Sequence, residues 1–383
     1  MASIYFDHAA TTPMSSEAIH AYVETASNGP GNPSSLHAHG RAARGRVASA
    51  RDKLSQLLNC NSSELIFTGS GTESDNTALF GAAFAQLKRG RKGIVTTAVE
   101  HHAVLHACRQ LEEQGFDLTI LPVDNYGRVS LEAAKAAINE STAVVSVMIG
   151  NNETGTLQPI AEIGEWAREH KALMHVDAVQ GFGYVPINLR EMPIDFLSLS
   201  AHKVNGPQGV GLLYIRKGTP FQPTIYGGSQ ERNRRAGTEN VAGIVAFAKA
   251  AEIACEQLQH RWTQAEEVRD SLLKALLEVH GEEHVVLNGH PEWRLPHILN
   301  VSFLGISTES MLMNLDLAGV SASGGSACTS GSLKPSHVLS AMKIPSERMT
   351  SAVRFSFGLG NTREEAEKLA KITATISARV RNR

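Results

Sequence analysis

The chain has 383 residues, 42% of them hydrophobic and 5% aromatic, enough apolar side chain for a sizeable core. A formal charge of −2 gives no overall attraction to nucleic acid or to an anionic membrane surface. No apolar run reaches the roughly 20 residues of a transmembrane helix, and the start Met1-Ala-Ser-Ile-Tyr-Phe-Asp lacks the basic flank and apolar centre of a signal peptide. A soluble cytoplasmic protein is therefore expected.

Taken in chain order, apolar runs of strand length fall at 65–68, 94–97, 118–123, 143–149, 173–177, 196–200 and 210–215. Most are continuously apolar rather than alternating, which suits a sheet covered on both faces. Amphipathic helical stretches at 73–89, 103–114 and 160–170 lie between them. That alternation predicts an α/β fold with a mainly parallel seven-stranded sheet. A helical pattern then runs from 241 to 280 and stops at Gly281. Forty residues is long for a globular helix, so a bend, a break or a bridge between domains is expected there. Its apolar positions drift from heptad spacing, which argues against a coiled coil. Strand-like 297–304 and 353–357 and helical 308–316 and 362–379 follow, reading as a smaller α+β domain. The expected division is a large domain over 13–258 and a small one from 1–12 and 259–383.

Four cysteines, Cys60, Cys108, Cys255 and Cys328, stand far apart and form no CxxC pair, so zinc spacing is absent. Three are expected to be small buried apolar groups. Cys328 differs, because it lies in Ala322-Ser-Gly-Gly-Ser-Ala-Cys-Thr-Ser-Gly-Ser332. Such small residues build no core and predict a mobile exposed loop, where a thiol makes sense as a nucleophile.

Three segments at strand ends carry candidate chemistry. Thr68-Gly-Ser-Gly-Thr-Glu-Ser-Asp-Asn76 opens a helix directly after a strand and reads as a phosphate cradle or an ordinary tight turn. It lacks the GK[ST] ending of an ATP-binding loop. Met174-His-Val-Asp-Ala-Val-Gln180 puts Asp177 at the end of a buried strand, where its partner is a core cation or a protonated pyridine nitrogen. Ser200-Ala-His-Lys203 puts a lysine at another strand end, before Gly206-Pro207. A lysine in an apolar pocket, as expected here after the run 195–199, loses its charge readily, and the free amine can form a Schiff base.

Together with Tyr5-Phe-Asp-His-Ala-Ala-Thr-Thr-Pro13, Gly31-Asn-Pro-Ser-Ser-Leu-His37, Glu100-His101, Asn151-Asn-Glu-Thr-Gly155, Glu231-Arg232, Arg235-Ala-Gly-Thr238 and Ser326-Ala-Cys-Thr-Ser330, these segments resemble the NifS/IscS-like (group I) cysteine desulfurases. That family belongs to the class V aminotransferases, with PLP fold type I. The resemblance covers essentially the whole chain. It implies pyridoxal 5′-phosphate (PLP) as cofactor, held covalently by Lys203, with Asp177 on the pyridine nitrogen and Gln180 on the ring hydroxyl. His101 stacks on the ring and serves as the acid–base group. Gly71, Thr72, Ser200 and His202 bind the phosphate, joined by Thr238 of a second subunit. Asn152 and Arg354 hold the substrate carboxylate.

The activity implied is removal of sulfur from L-cysteine as a persulfide on Cys328, releasing alanine. The sulfur then passes to an acceptor protein of iron–sulfur cluster assembly, of thio-cofactor synthesis or of tRNA thiolation. A homodimer, no resident metal beyond transient iron–sulfur contact at Cys328, and no nucleic-acid or membrane partner complete the expectation. A selenocysteine lyase or another class V aminotransferase-like enzyme is the alternative. The arginines at 232, 234 and 235, without interleaved aromatics, suggest an interface or phosphate role rather than nucleic acid. Two departures from the family pattern are Gly324, where many members have Ser, and Asn233, where glycine is common.

Overall fold

The structure is a computed structural model that describes residues 3–325 and 335–381. Cys328, with the loop expected around it, lies outside the described residues. The strands in chain order are β1 (Ile4–Tyr5), β2 (Leu65–Thr68), β3 (Gly93–Thr97), β4 (Asp117–Leu121), β5 (Thr142–Ser146), β6 (Leu173–Asp177), β7 (Phe196–Ser200), β8 (Gly211–Ile215), β9 (Val285–Asn288), β10 (Ile298–Phe303), β11 (Val320–Ser321) and β12 (Ala352–Ser356).

Seven of them form one sheet in the order β2-β8-β7-β6-β5-β3-β4, and only β8 runs antiparallel to its neighbours. β5, β6, β7 and β8 are buried along their whole length, which is why their apolar runs do not alternate. β4, at the edge, is the exception: its exposed Asp117 and Thr119 alternate with more covered residues. One core joins Val145, Val147, Met174, Val176, Leu197 and Leu199 to Leu54, Leu58, Phe247 and Ala251 on one side of the sheet. A second packs Ile66, Leu79, Ala82, Val144 and Leu213 against Val104, Cys108 and Leu111 on the other.

A further core gathers Ile4 and Phe6 with Val268, Leu272, Val301, Phe355, Phe357 and Leu369. It lies on the antiparallel sheet β12-β10-β9, beside the parallel pair β1-β11. The helical pattern from 241 to 280 is two helices, Val241–Glu256 and Leu258–His280, parted at Gln257. Each half serves a different core, Phe247 and Ala251 the first and Val268 and Leu272 the further one. That division rules out a continuous coiled coil. No helix among the described residues is long and apolar enough to cross a membrane.

The stretch after β1 connects the two parts. Asp7 bridges to Ser356 beside β12, and Thr12 then donates its N–H and its hydroxyl to His202 O at 2.9 and 2.8 Å.

Candidate active site

A cavity opens at the carboxyl ends of the parallel strands, where open α/β sheets bind ligands. It is lined by residues of seven separate chain segments, among them Gly71, His101, Asn152, Asp177, Lys203 and Arg354.

The helix Gly71–Leu87 begins in its wall, with the Ser70 hydroxyl accepting from Glu73 N–H at 3.1 Å. Gly71 has no side chain for a close-contact reason: a Cβ there would stand 2.8 Å from Val179 Cγ2 and 3.4 Å from Ser200 Cβ. The first-turn N–H groups and the Thr72 and Ser200 hydroxyls therefore surround a space of positive potential, the requirement for a phosphate. Glu73 fixes that turn by accepting from Gly69 N–H at 2.8 Å and from Arg235 Nε at 2.7 Å. The other two arginines bond ahead of β2 instead, Arg232 to Ser62 O and Arg234 to Ser63 O.

His202 lies beside this space with Nδ1 3.1 Å from Thr11 Oγ1, and burial followed by the charge of Lys203 lowers its pKa to about 4. Lys203 follows it on a turn of 3-10 helix. Its Nζ donates to Ala9 O at 2.5 Å and Ala10 O at 2.7 Å, so polar carbonyls hold the amine where an apolar pocket was expected. Gln180 also reaches this strap, Nε2 donating to Ala9 O at 2.9 Å, while its Oε1 lies 3.2 Å from His297 Nε2.

β6 alternates so that His175 and Asp177 share a face, opposite Asp75 on the helix Gly71–Leu87. Asp177 accepts Val179 N–H at 2.9 Å. Burial, and then the neighbouring Asp75, pushes its carboxyl up to about 7. Asp75 is 1% exposed, and burial pushes it up to about 7 as well. Its Oδ1 lies 3.5 Å from His175 Nε2 and has no hydrogen-bond partner among the described residues. His175 itself is fixed by Ser146 at 2.7 Å and Ser198 at 3.0 Å.

His101 caps the helix His102–Glu113, its Nδ1 accepting Ala103 N–H at 3.1 Å. The proton of the neutral ring therefore sits on Nε2. Burial and then Lys203 hold its pKa near 4, so the ring is neutral at physiological pH. Arg354 on β12 is 1% exposed and binds Asp7 Oδ1 at 2.9 Å through Nη2 and Asn152 O at 2.8 Å through Nη1. Its buried Nε has no partner among the described residues.

Eleven of the twelve residues expected at the site are described. Ten line this cavity, and Thr238 is exposed and absent from its lining. Sequence reasoning gave no role to Asp7, Asp75 or the carbonyls of Ala9 and Ala10. The motif Tyr5-Phe-Asp-His-Ala-Ala10 was the only signal for three of them.

PLP, an anion at one end and a protonated ring nitrogen at the other, fits this cavity: the Gly71 cradle meets the first need and buried Asp177 the second. The fold is that of the type I PLP-dependent enzymes. The profile of the family Aminotransferase class-V matches residues 4–369. A putative cysteine desulfurase IscS 1 of Bacillus subtilis is 48% identical over 381 residues, covering 99% of this chain and 100% of that one. The cysteine desulfurase IscS of Methanosarcina thermophila is 45% identical over 380 residues, covering 99% and 93%. A solved NifS-like protein matches with a TM-score of 0.92 at 36% identity, covering 98% and 99%. The chain belongs to the class V aminotransferase family, among its PLP-dependent cysteine desulfurases.

Proposed function

We propose that the chain takes sulfur from L-cysteine as a persulfide on Cys328 and releases L-alanine. The observation that carries this reading is the convergence of Lys203, Asp177, His101 and the Gly71 helix end on one cavity, in a chain with a cysteine at 328. Bound PLP supplies the electron sink for charge developed at the substrate carbons.

The chain's own residues do the rest. Lys203 would hold the cofactor covalently through Nζ in place of its carbonyl contacts, and once released would carry the substrate Cα proton. Asp177 would keep the ring nitrogen protonated. His101 would offer its Nε2 proton to the reacting group. Arg354 and Asn152 orient the substrate carboxylate, the guanidinium turning part of its bonding from Asp7 to the ligand. The Cys328 thiolate attacks the substrate sulfur: an S–S bond forms, the Cβ–S bond breaks with its electron pair passing to the substrate carbon, and protonation there gives alanine.

The reading includes a homodimer in which Thr238 serves the partner's phosphate site, supported by its exposure outside this cavity. It also includes a protein acceptor for the sulfur, and a division into a large unit (13–258) and a small one (1–12 and 259–383), supported by the two apolar cores although Val338, Leu339, Met342, Ile344 and Ala352 pack into the first. The test is alanine and sulfide release from L-cysteine by the holoenzyme beside Cys328→Ala. Cysteine-dependent alanine lost in the variant, with cofactor absorbance retained, is the expected result. Undiminished alanine release would refute the role of Cys328.

A further inference from the structure

Asn152 of the cavity is followed by Glu153, whose backbone is held on several sides. Asn151 Oδ1 accepts the N–H groups of Glu153 and Thr154, each at 2.9 Å, and Asn300 Nδ2 of β10 donates to Glu153 O at 3.1 Å. The Glu153 side chain is not among the cavity lining, although the residue is 1% exposed. Its Oε2 accepts the Ser336 hydroxyl at 2.5 Å. Ser336 in turn caps the helix His337–Ala341 by accepting Leu339 N–H at 3.2 Å. The next residue docks beside it: His337 Nε2 lies 2.9 Å from Glu100 O, and its ring packs on His102 with centroids 4.4 Å apart. The chain therefore returns at Ser336–His337 onto residues that flank His101 and Asn152, two cavity residues.

Gly325 packs close to the same carboxyl. A Cβ built on Gly325 would stand 3.0 Å from Glu153 Oε2 and 3.7 Å from Ser336 Cβ. Gly325 and Ser336 thus meet at one buried acid, and Cys328 lies between them in sequence. A carboxyl buried to this degree is costly unless its bonds are satisfied, and a plain helix cap needs no second contact with Gly325.

We propose that Glu153 is a positioning residue for sulfur transfer. Its carboxyl bonds Ser336 and lies close to Gly325, residues on either side of Cys328 in the sequence, and so holds both beside the turn carrying Asn152 for the transfer step. The inference rests on the reading of Cys328 as the sulfur acceptor.

The test uses holoenzyme with Glu153→Ala, Ser336→Ala, the double variant and Glu153→Gln. Persulfide on Cys328 is followed in a single turnover with L-cysteine, beside kcat, KM and cofactor absorbance. Misplacement of a reacting group by about 1 Å costs on the order of 100-fold, so the alanine variants should lose about 10- to 100-fold in persulfide formation. KM and the cofactor band should stay within about twofold of the unaltered protein, as for an interaction used only in the transfer step. The double variant should be no slower than Glu153→Ala, which already removes the Ser336 contact. Glu153→Gln keeps an oxygen for the Ser336 hydroxyl and should retain most of the rate. If Glu153→Ala does not fold, Ser336→Ala carries the test alone. An unchanged persulfide rate in Ser336→Ala overturns the proposal, as does a loss matched by cofactor release or a raised KM. Cys328→Ala run alongside separates the two readings. Undiminished alanine there sinks the acceptor role itself, whereas its loss there beside an unaffected Ser336→Ala sinks only the positioning role.

Discussion

Asp75 lies 3.5 Å from the buried imidazole of His175, which shares a face of β6 with Asp177, and Asp75 raises the cost of ionising Asp177. The folded pKa of Asp75, about 7, lies above its ordinary 3.8. Its stabilising contribution is therefore complete below the ordinary value and is lost as pH rises through about 7. Asp75→Asn should raise the melting temperature of the cofactor-free protein by about 1–3 °C near pH 8, since in a chain of 383 residues 1 kcal/mol corresponds to about 1 °C. That gain should fade by about pH 5, where the native acid already holds its proton; a gain independent of pH would refute the assignment. The buried histidines pull the other way. His8, His101, His175 and His202 have pKa values lowered to about 4, so the stability they contribute above their ordinary 6.5 is lost as pH falls from there towards 4. Asp177 and Lys203 were legible in sequence because the first ends a recognisable buried strand and the second follows another by three residues. Asp75 and Glu153 were not, since their partners, His175 and Ser336, are far along the chain and only the fold brings them close.

At the level of elements, two departures from the family pattern acquire physical explanations. Asn233 is the last of three successive residues with left-handed backbone, at φ 45°, 58° and 61°. Asparagine tolerates that conformation better than most side chains. Buried Glu231 anchors the run by accepting from Arg51 at 2.6 and 2.7 Å and from Phe67 N–H at 3.1 Å. Gly324 is coupled to Thr308, because a Cβ on Gly324 would stand 2.5 Å from Thr308 Cγ2. Thr308 cannot rotate away cheaply, since its hydroxyl donates to Thr350 O and Ala352 O at 3.0 and 2.9 Å. Gly324→Ser alone should cost about 1–3 kcal/mol, the usual range for overpacking. Thr308→Ser, which removes the methyl and keeps the hydroxyl, should restore most of it; paired denaturant melts decide, and purely additive losses would refute the coupling.

The strands of the large sheet were readable because double-sided burial leaves continuous apolar runs. The break at Gln257 was not locatable, having no proline or glycine to mark it. The helices Ser16–Ser27 and Ala38–Leu57 and the short strand β9 went unnamed for lack of a strong pattern of their own.

Across the whole molecule, the strap from Ile4 to Thr12 belongs to both parts. Ile4 and Phe6 lie in the core with Phe355 and Leu369, Asp7 holds Arg354, and the carbonyls of Ala9 and Ala10 hold Lys203. The strap thus waits for a residue 347 positions further along the chain before it finds its place. Synthesis proceeds at about 5–20 residues per second, so the nascent chain spends tens of seconds with this strap unplaced. Ribosome-bound chains stalled before β12 has emerged should retain no PLP, and chains released at full length should take it up. Retention by stalled chains would show that the cradle matures without the strap. Cofactor loading should therefore be a late event in synthesis, following the placement of this strap against β12 rather than the closing of the large sheet.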